Sequence, residues 1–157
     1  MRGFLSGPVR PESEKMAAMN QCAMEGRPGM RVLVAEDNFL IGEFVRQILT
    51  DMGCSVTGPI GDLNELLEAI RLDLFDGALL DLDLDGVSVL PAANALAEHG
   101  TPFIVASGRG NLTGLPALLA RAPQLAKPYN AGALEQAVSR TFGSRAPCEA
   151  AQAVKSI

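Results

Sequence analysis

Short, largely apolar runs alternate along this chain with longer stretches in which apolar residues recur every third or fourth position. The runs are "RVLVA" (31–35), "CSVTGPI" (54–60), "GALLD" (77–81), "PFIVAS" (102–107) and "QLA" (124–126). Most read as strands buried on both faces, because they are too short for helices and lack polar alternation. The stretches between them read as helices. Residues 39–52 carry Ile41, Phe44, Val45, Ile48 and Met52 at helical spacing, and Gly53 follows as a stop. Residues 62–71 open on Asp62, a good N-cap. Further helices are predicted over 88–100, ending at a glycine, over 115–122, with Pro116 tolerated in the first turn, and over 130–142.

Five strand–helix units in succession predict an α/β domain with a parallel sheet covered on both faces. The expected architecture is flavodoxin-like and doubly wound: a five-stranded parallel sheet in the order 2-1-3-4-5 with helices on both sides. Residues 1–29 are polar, rich in Met, Pro and Gly, and aperiodic, which predicts a flexible N-terminal extension. The folded domain is expected over 30–143, with a C-terminal tail over 144–157. The chain ends after the fifth helix, so no output domain is expected to follow.

Composition narrows the functional classes. The chain has 157 residues, 48% of them hydrophobic, enough for one domain with a real core. A net charge of -5 argues against general nucleic-acid binding. No apolar run can span a bilayer, and the N-terminus lacks the apolar segment of a signal peptide. Cys22, Cys54 and Cys148 are odd in number and scattered, which fits reduced thiols in a cytoplasmic protein. His99 is the only histidine and is expected at a helix end rather than in a metal site.

The chemistry is predicted at the carboxyl ends of the strands, where open parallel sheets bind ligands. Glu36 and Asp37 follow strand one, Asp81 ends strand three, Ser107 ends strand four, and Lys127-Pro128 follows strand five. Three carboxylates, a hydroxyl and an ammonium should therefore share one edge. Clustered carboxylates repel, and an all-oxygen donor set suits Mg²⁺. A strand-end carboxylate beside such an ion is a nucleophile for a phosphoryl group, giving an aspartyl phosphate. A lysine can neutralise the phosphoryl oxygens.

At these positions the sequence resembles the response regulator receiver family. "VLVAEDN" resembles its first strand and acidic pair, "GALLDLDLDG" its phosphoacceptor strand and loop, "PFIVASG" the strand bearing its switch hydroxyl, and "LAKP" its lysine segment. The resemblance covers residues 30–143. It implies Asp81 as phosphoacceptor, Asp37 as a direct Mg²⁺ ligand, Glu36 as a ligand through water, and the backbone carbonyl of Asp83 as a further ligand. It also implies Ser107 as the switch hydroxyl, Lys127 as the phosphate-contacting lysine, and a cis Lys127-Pro128 bond. The partners implied are a sensor histidine kinase, a histidine phosphotransfer protein and a second copy of the chain. The family's aromatic switch position holds Gln124 here. "VASGRG" is similar to a single-domain group with Phe-Ala-Thr-Gly-Tyr-Gly, with Val105, Ser107 and Arg109 replacing its Phe, Thr and Tyr.

Rival readings of "DLDLDG" (81–86) fare less well. An EF-hand loop would need Glu at its twelfth position, which is Ala92. A haloacid-dehalogenase-type phosphatase would need acids further along, and no Asp follows Asp85. An unphosphorylated pseudo-receiver is opposed by the intact acidic set and lysine. Asp83 and Arg109 each lie two residues past a site residue, and an ion pair between them is expected across the mouth of the site. The side chain of Asp85 is expected to be dispensable.

Overall fold

The computed structural model describes residues 29–108 and 113–143. Residues 1–28 of the expected N-terminal extension, the expected tail, Cys22, Cys148 and Arg109, with the expected Asp83–Arg109 ion pair, fall outside the described residues. Five parallel strands form the main sheet: β1 (Arg31–Ala35), β2 (Ser55–Ile60), β3 (Gly77–Asp81), β6 (Phe103–Ser107) and β7 (Gln124–Ala126). Their order, β2-β1-β3-β6-β7, is the predicted 2-1-3-4-5 arrangement once β4 (Asp83–Leu84) and β5 (Val87–Ser88) are set aside as a separate hairpin.

The alternation within each strand divides the core. Leu33, Ala35, Ala78, Leu80, Phe103 and Val105 point to one face. There they meet Leu66 and Ile70 of α2 (Leu63–Leu72), Ala92 and Leu96 of α3 (Leu90–Glu98), and Leu119 of α4 (Ala117–Arg121). Val32, Val34, Leu79, Ile104 and Ala106 point to the other. Their partners are Val45, Ile48 and Leu49 of α1 (Phe39–Asp51) and Leu134, Val138 and Phe142 of α5 (Ala131–Phe142). The central strands β1, β3 and β6 are therefore apolar on both faces, as their sequences require.

The caps follow local rules. Asn38, Asp62 and Asn130 accept main-chain N–H bonds at the starts of α1, α2 and α5. Gly53 adopts φ 88° just past α1, and His99 is the exposed C-cap of α3. Among the described residues no helix is long and apolar enough to cross a membrane. Cys54 is a buried free thiol whose pKa is raised by burial and by Asp76.

Several expectations are corrected. The third helix is shorter than 88–100, because Val87 and Ser88 are taken into the hairpin. Pro116 is the cap of α4 rather than part of its first turn, with an extended ψ of 143°. Phe44 is not a core residue: it lies 41% exposed on the flank of α1, its ring 6.4 Å from that of Tyr129. β2 is half-buried, and its pairing with β1 slips between Leu33 and Ala35. The slip falls where Gly58 takes φ 109°, with no room for a Cβ against the Val34 carbonyl, and where Gly58-Pro59 is cis.

Candidate functional site

The strand ends bring the sequence-derived residues to one edge. Leaving β1, the main chain of Glu36 donates to the Ile60 carbonyl at 3.0 Å, so the end of β2 holds the acidic pair. Gly61 packs its backbone against Asp37: a Cβ there would lie 3.2 Å from the Asp37 Cα. The Glu36 side chain turns inward and is buried, whereas Asp37 faces solvent. Asp81 and Ser107 end the neighbouring strands β3 and β6, both buried. Lys127 follows β7, and its main-chain N–H donates to the Ser107 carbonyl at 2.9 Å. The Lys127-Pro128 bond is cis, as the resemblance implied.

Lys127 is the electrostatic centre of the group. Its Nζ donates to Glu36 Oε2 at 2.8 Å and to Asp81 Oδ2 at 2.9 Å. Glu36 Oε1 also accepts the Asn38 N–H at 3.0 Å. Burial pushes the Glu36 carboxyl up; Lys127 and the Asn38 amide pull it down without fully offsetting the desolvation. Burial alone would lower the Lys127 pKa, but hydrogen bonds to Glu36 and Asp81 outweigh it, and the ammonium is held above its ordinary range. One cation thus answers two carboxylates in a largely water-excluded place.

Glu36, Asp37 and Asp81 can each offer an oxygen within 4.8 Å of the others. Hard carboxylate donors so close together, only two of them bridged by Lys127, fit a hard divalent cation such as Mg²⁺. The Asp83 main-chain N–H lies 3.4 Å from Asp81 Oδ1, and Asp83 is half-buried just past β3. Gln124 is turned away from this edge: its Nε2 donates to the Leu119 and Ala122 carbonyls at 2.7 and 2.9 Å, bracing the end of α4.

Sequence reasoning missed one participant. Only the side chain of Asp85 was considered there, as dispensable, yet the main-chain N–H of Asp85 donates to Asp37 Oδ2 at 2.8 Å. The signal was present as Asp85-Gly86, a dipeptide suited to two successive positive φ angles in a tight hairpin. Burial is the largest single influence and raises the Asp37 carboxyl, but hydrogen bonds led by that of the Asp85 amide together outweigh it and hold the carboxyl below its usual range.

No family model matches the sequence, and no curated protein matches it. Solved structures do match. The receiver domain of the sensor histidine kinase PA1611 from Pseudomonas aeruginosa PAO1, which has a magnesium ion in its active-site cleft, aligns at TM-score 0.63 and 23% identity over 74% of this chain and 99% of that one. SdrG from Sphingomonas melonis Fr1 aligns at TM-score 0.62 and 25% identity over 70% of this chain and 93% of its own. The chain has the receiver-domain fold. The response regulator PhyR from Brucella abortus shares this fold at TM-score 0.67 and 22% identity; the match takes in 92% of this chain but only 59% of PhyR. In the receiver fold of this chain, the acidic pair, the third-strand aspartate and the lysine all lie at the carboxyl edge of the sheet.

Proposed function

We propose that residues 30–143 form a phosphoacceptor receiver unit, between an N-terminal extension and a C-terminal tail. In this reading Asp81 is phosphorylated by a histidine kinase or a histidine phosphotransfer protein of a cytoplasmic two-component pathway. The observation that carries the reading is the Lys127 ammonium shared between Glu36 and Asp81 at the carboxyl edge of the sheet. A structural ion pair needs one carboxylate; here an ammonium lies beside a buried carboxylate that is backed by a second, with a third close by.

The Asp81 carboxylate oxygen forms the new bond to phosphorus as the P–N bond of a phosphoimidazole breaks, its electron pair returning to the imidazole nitrogen. Lys127 already touches Asp81 Oδ2, so its ammonium needs little movement to meet a phosphoryl oxygen. Ser107, on the neighbouring strand, supplies the hydroxyl that reports the modified state. Mg²⁺ would be held by Asp37, Asp81 and the Asp83 carbonyl, with Glu36 through water, and would supply charge neutralisation at the phosphoryl oxygens. The exposed Phe39 and Leu40, just past Asp37, give a partner an apolar foothold beside the site. Gln124 braces α4 where the resemblance leads one to expect an aromatic switch, so output through that ring is not part of the proposal.

The test is intact-mass measurement after incubation with a small-molecule phosphodonor and Mg²⁺. Wild type should gain one phosphoryl group and Asp81→Asn none. Retention of the phosphoryl group by Asp81→Asn, with its loss in Asp83→Asn, would sink the assignment.

A further inference from the structure

The hairpin that follows Asp81 reaches back across the site. Asp83 pairs with Ser88 and Leu84 with Val87 in antiparallel register. The two residues between them, Asp85 and Gly86, have φ of 51° and 81°, the signature of a tight mirror-image turn. The hairpin is anchored from below: Leu84 and Val89 are buried in the core, and the Val89 N–H donates to the Leu82 carbonyl at 3.3 Å. Its tip is therefore a fixed point and not a loose loop end. From that tip the Asp85 N–H meets Asp37 Oδ2, a contact between residues 48 apart in sequence. Asp37 is exposed and begins no helix; its carboxylate also interacts with the Glu36 side chain and its own main-chain N–H, and the Asp85 amide is the contact that reaches it from a distant element.

We propose that the main-chain N–H of Asp85 is a positioning group for the Asp37 carboxylate, and that the Asp85-Gly86 turn thereby sets how tightly the acidic edge binds a divalent cation. The inference rests on the reading of Glu36, Asp37 and Asp81 as a cation site. By holding Oδ2, the amide restricts the rotation of the Asp37 carboxylate that ligation would otherwise have to freeze. Groups of this kind, which orient a ligand without touching the ion, are typically worth about 10–100-fold in affinity. The device uses backbone only, so the Asp85 side chain matters solely for tolerating a positive φ.

The test uses the full chain and Mg²⁺ titration by calorimetry, with thermal melting in chelator alongside. Asp85→Pro removes the N–H and cannot adopt a positive φ; affinity should fall about tenfold or more. Asp85→Gly keeps both the N–H and the turn and should restore affinity to within about twofold of wild type. In an Asp37→Ala background, Asp85→Pro should add little further loss. Equal affinity for wild type and Asp85→Pro, or full additivity with Asp37→Ala, would overturn the proposal. A second readout needs no metal: the Asp85 amide proton resonance should move clearly upfield in Asp37→Ala, as a bond to a carboxylate is lost. If wild type binds no Mg²⁺, the cation reading fails by itself. The amide resonance then decides the positioning claim: an unmoved resonance overturns it.

Discussion

The two edges of the sheet handle charge in opposite ways. At the carboxyl edge, Lys127, Glu36 and Asp81 form a network whose side chains are 18%, 4% and 12% exposed. At the amino edge, Arg31 forks onto Asp73, its main-chain N–H donates to Asp76 Oδ2 at 2.8 Å, and its guanidinium lies 5.6 Å from the centre of the Phe75 ring. Both edges set a cationic residue against two carboxylates, although at the amino edge the guanidinium pairs only with Asp73 and Asp76 is held by the main chain. Yet the Arg31 and Asp73 side chains are each 44% exposed, so solvent already does most of what the pairing does. The buried network depends on its own members, and the removal of one leaves the others uncompensated. The amino edge is instead closed by shape: the Phe142 ring packs on Gly77, where a Cβ would lie 2.6 Å from a ring carbon.

This contrast makes the carboxyl edge sensitive to charge and the amino edge sensitive to volume. The largest expected effect is Lys127→Met in chelator, which strands two mostly buried carboxylates and should cost about 3 kcal/mol in denaturant unfolding near neutral pH. Mg²⁺ should return part of that loss, since a bound cation takes over the missing charge. A loss no greater than that of Arg31→Met would break the comparison.

Gly77→Ala should come next, at about 1–3 kcal/mol, because the added methyl overpacks the Phe142 ring. Its phosphorylation by a small-molecule donor should match wild type under conditions where both are folded. Arg31→Met should shift the unfolding midpoint only marginally, and any shift should shrink further in high salt.

The smallest effect is spectroscopic. The Tyr129 phenol, beside the carboxyl edge, is pushed up to about 12 by burial, with Lys127 pulling the other way. A folded-state pKa above the ordinary 10.0 adds stability that is complete below pH 10 and lost as pH rises through about 12. Phenolate absorbance should thus appear in the folded protein only near pH 12, and Tyr129→Phe should lack that step. Titration near pH 10 in the folded protein would show that this flank is solvated like the amino edge.

Much of the fold was legible because strands buried on both faces must be apolar throughout. "RVLVA", "GALLD" and "PFIVAS" became β1, β3 and β6 almost residue for residue. The convergence of Glu36, Asp37, Asp81, Ser107 and Lys127 followed from topology, since parallel strands place all their carboxyl ends on one side. Phe44 misled because helical spacing marks an apolar stripe but not its edges, and this ring lies on the flank against Tyr129. The β4–β5 hairpin was passed over because two-residue strands leave no periodicity to read, though Asp85-Gly86 signalled the turn.

Sequence alone therefore determined the layer order of the α/β domain and which residues stand at its carboxyl edge, because those depend on local periodicity and on chain direction. Tertiary structure decided which of the carboxylates is buried, that Lys127 answers both Glu36 and Asp81, and that the Asp85 amide holds Asp37. These contacts join residues 91, 46 and 48 positions apart, and their strength depends on how much water the packing excludes, a quantity no local pattern carries.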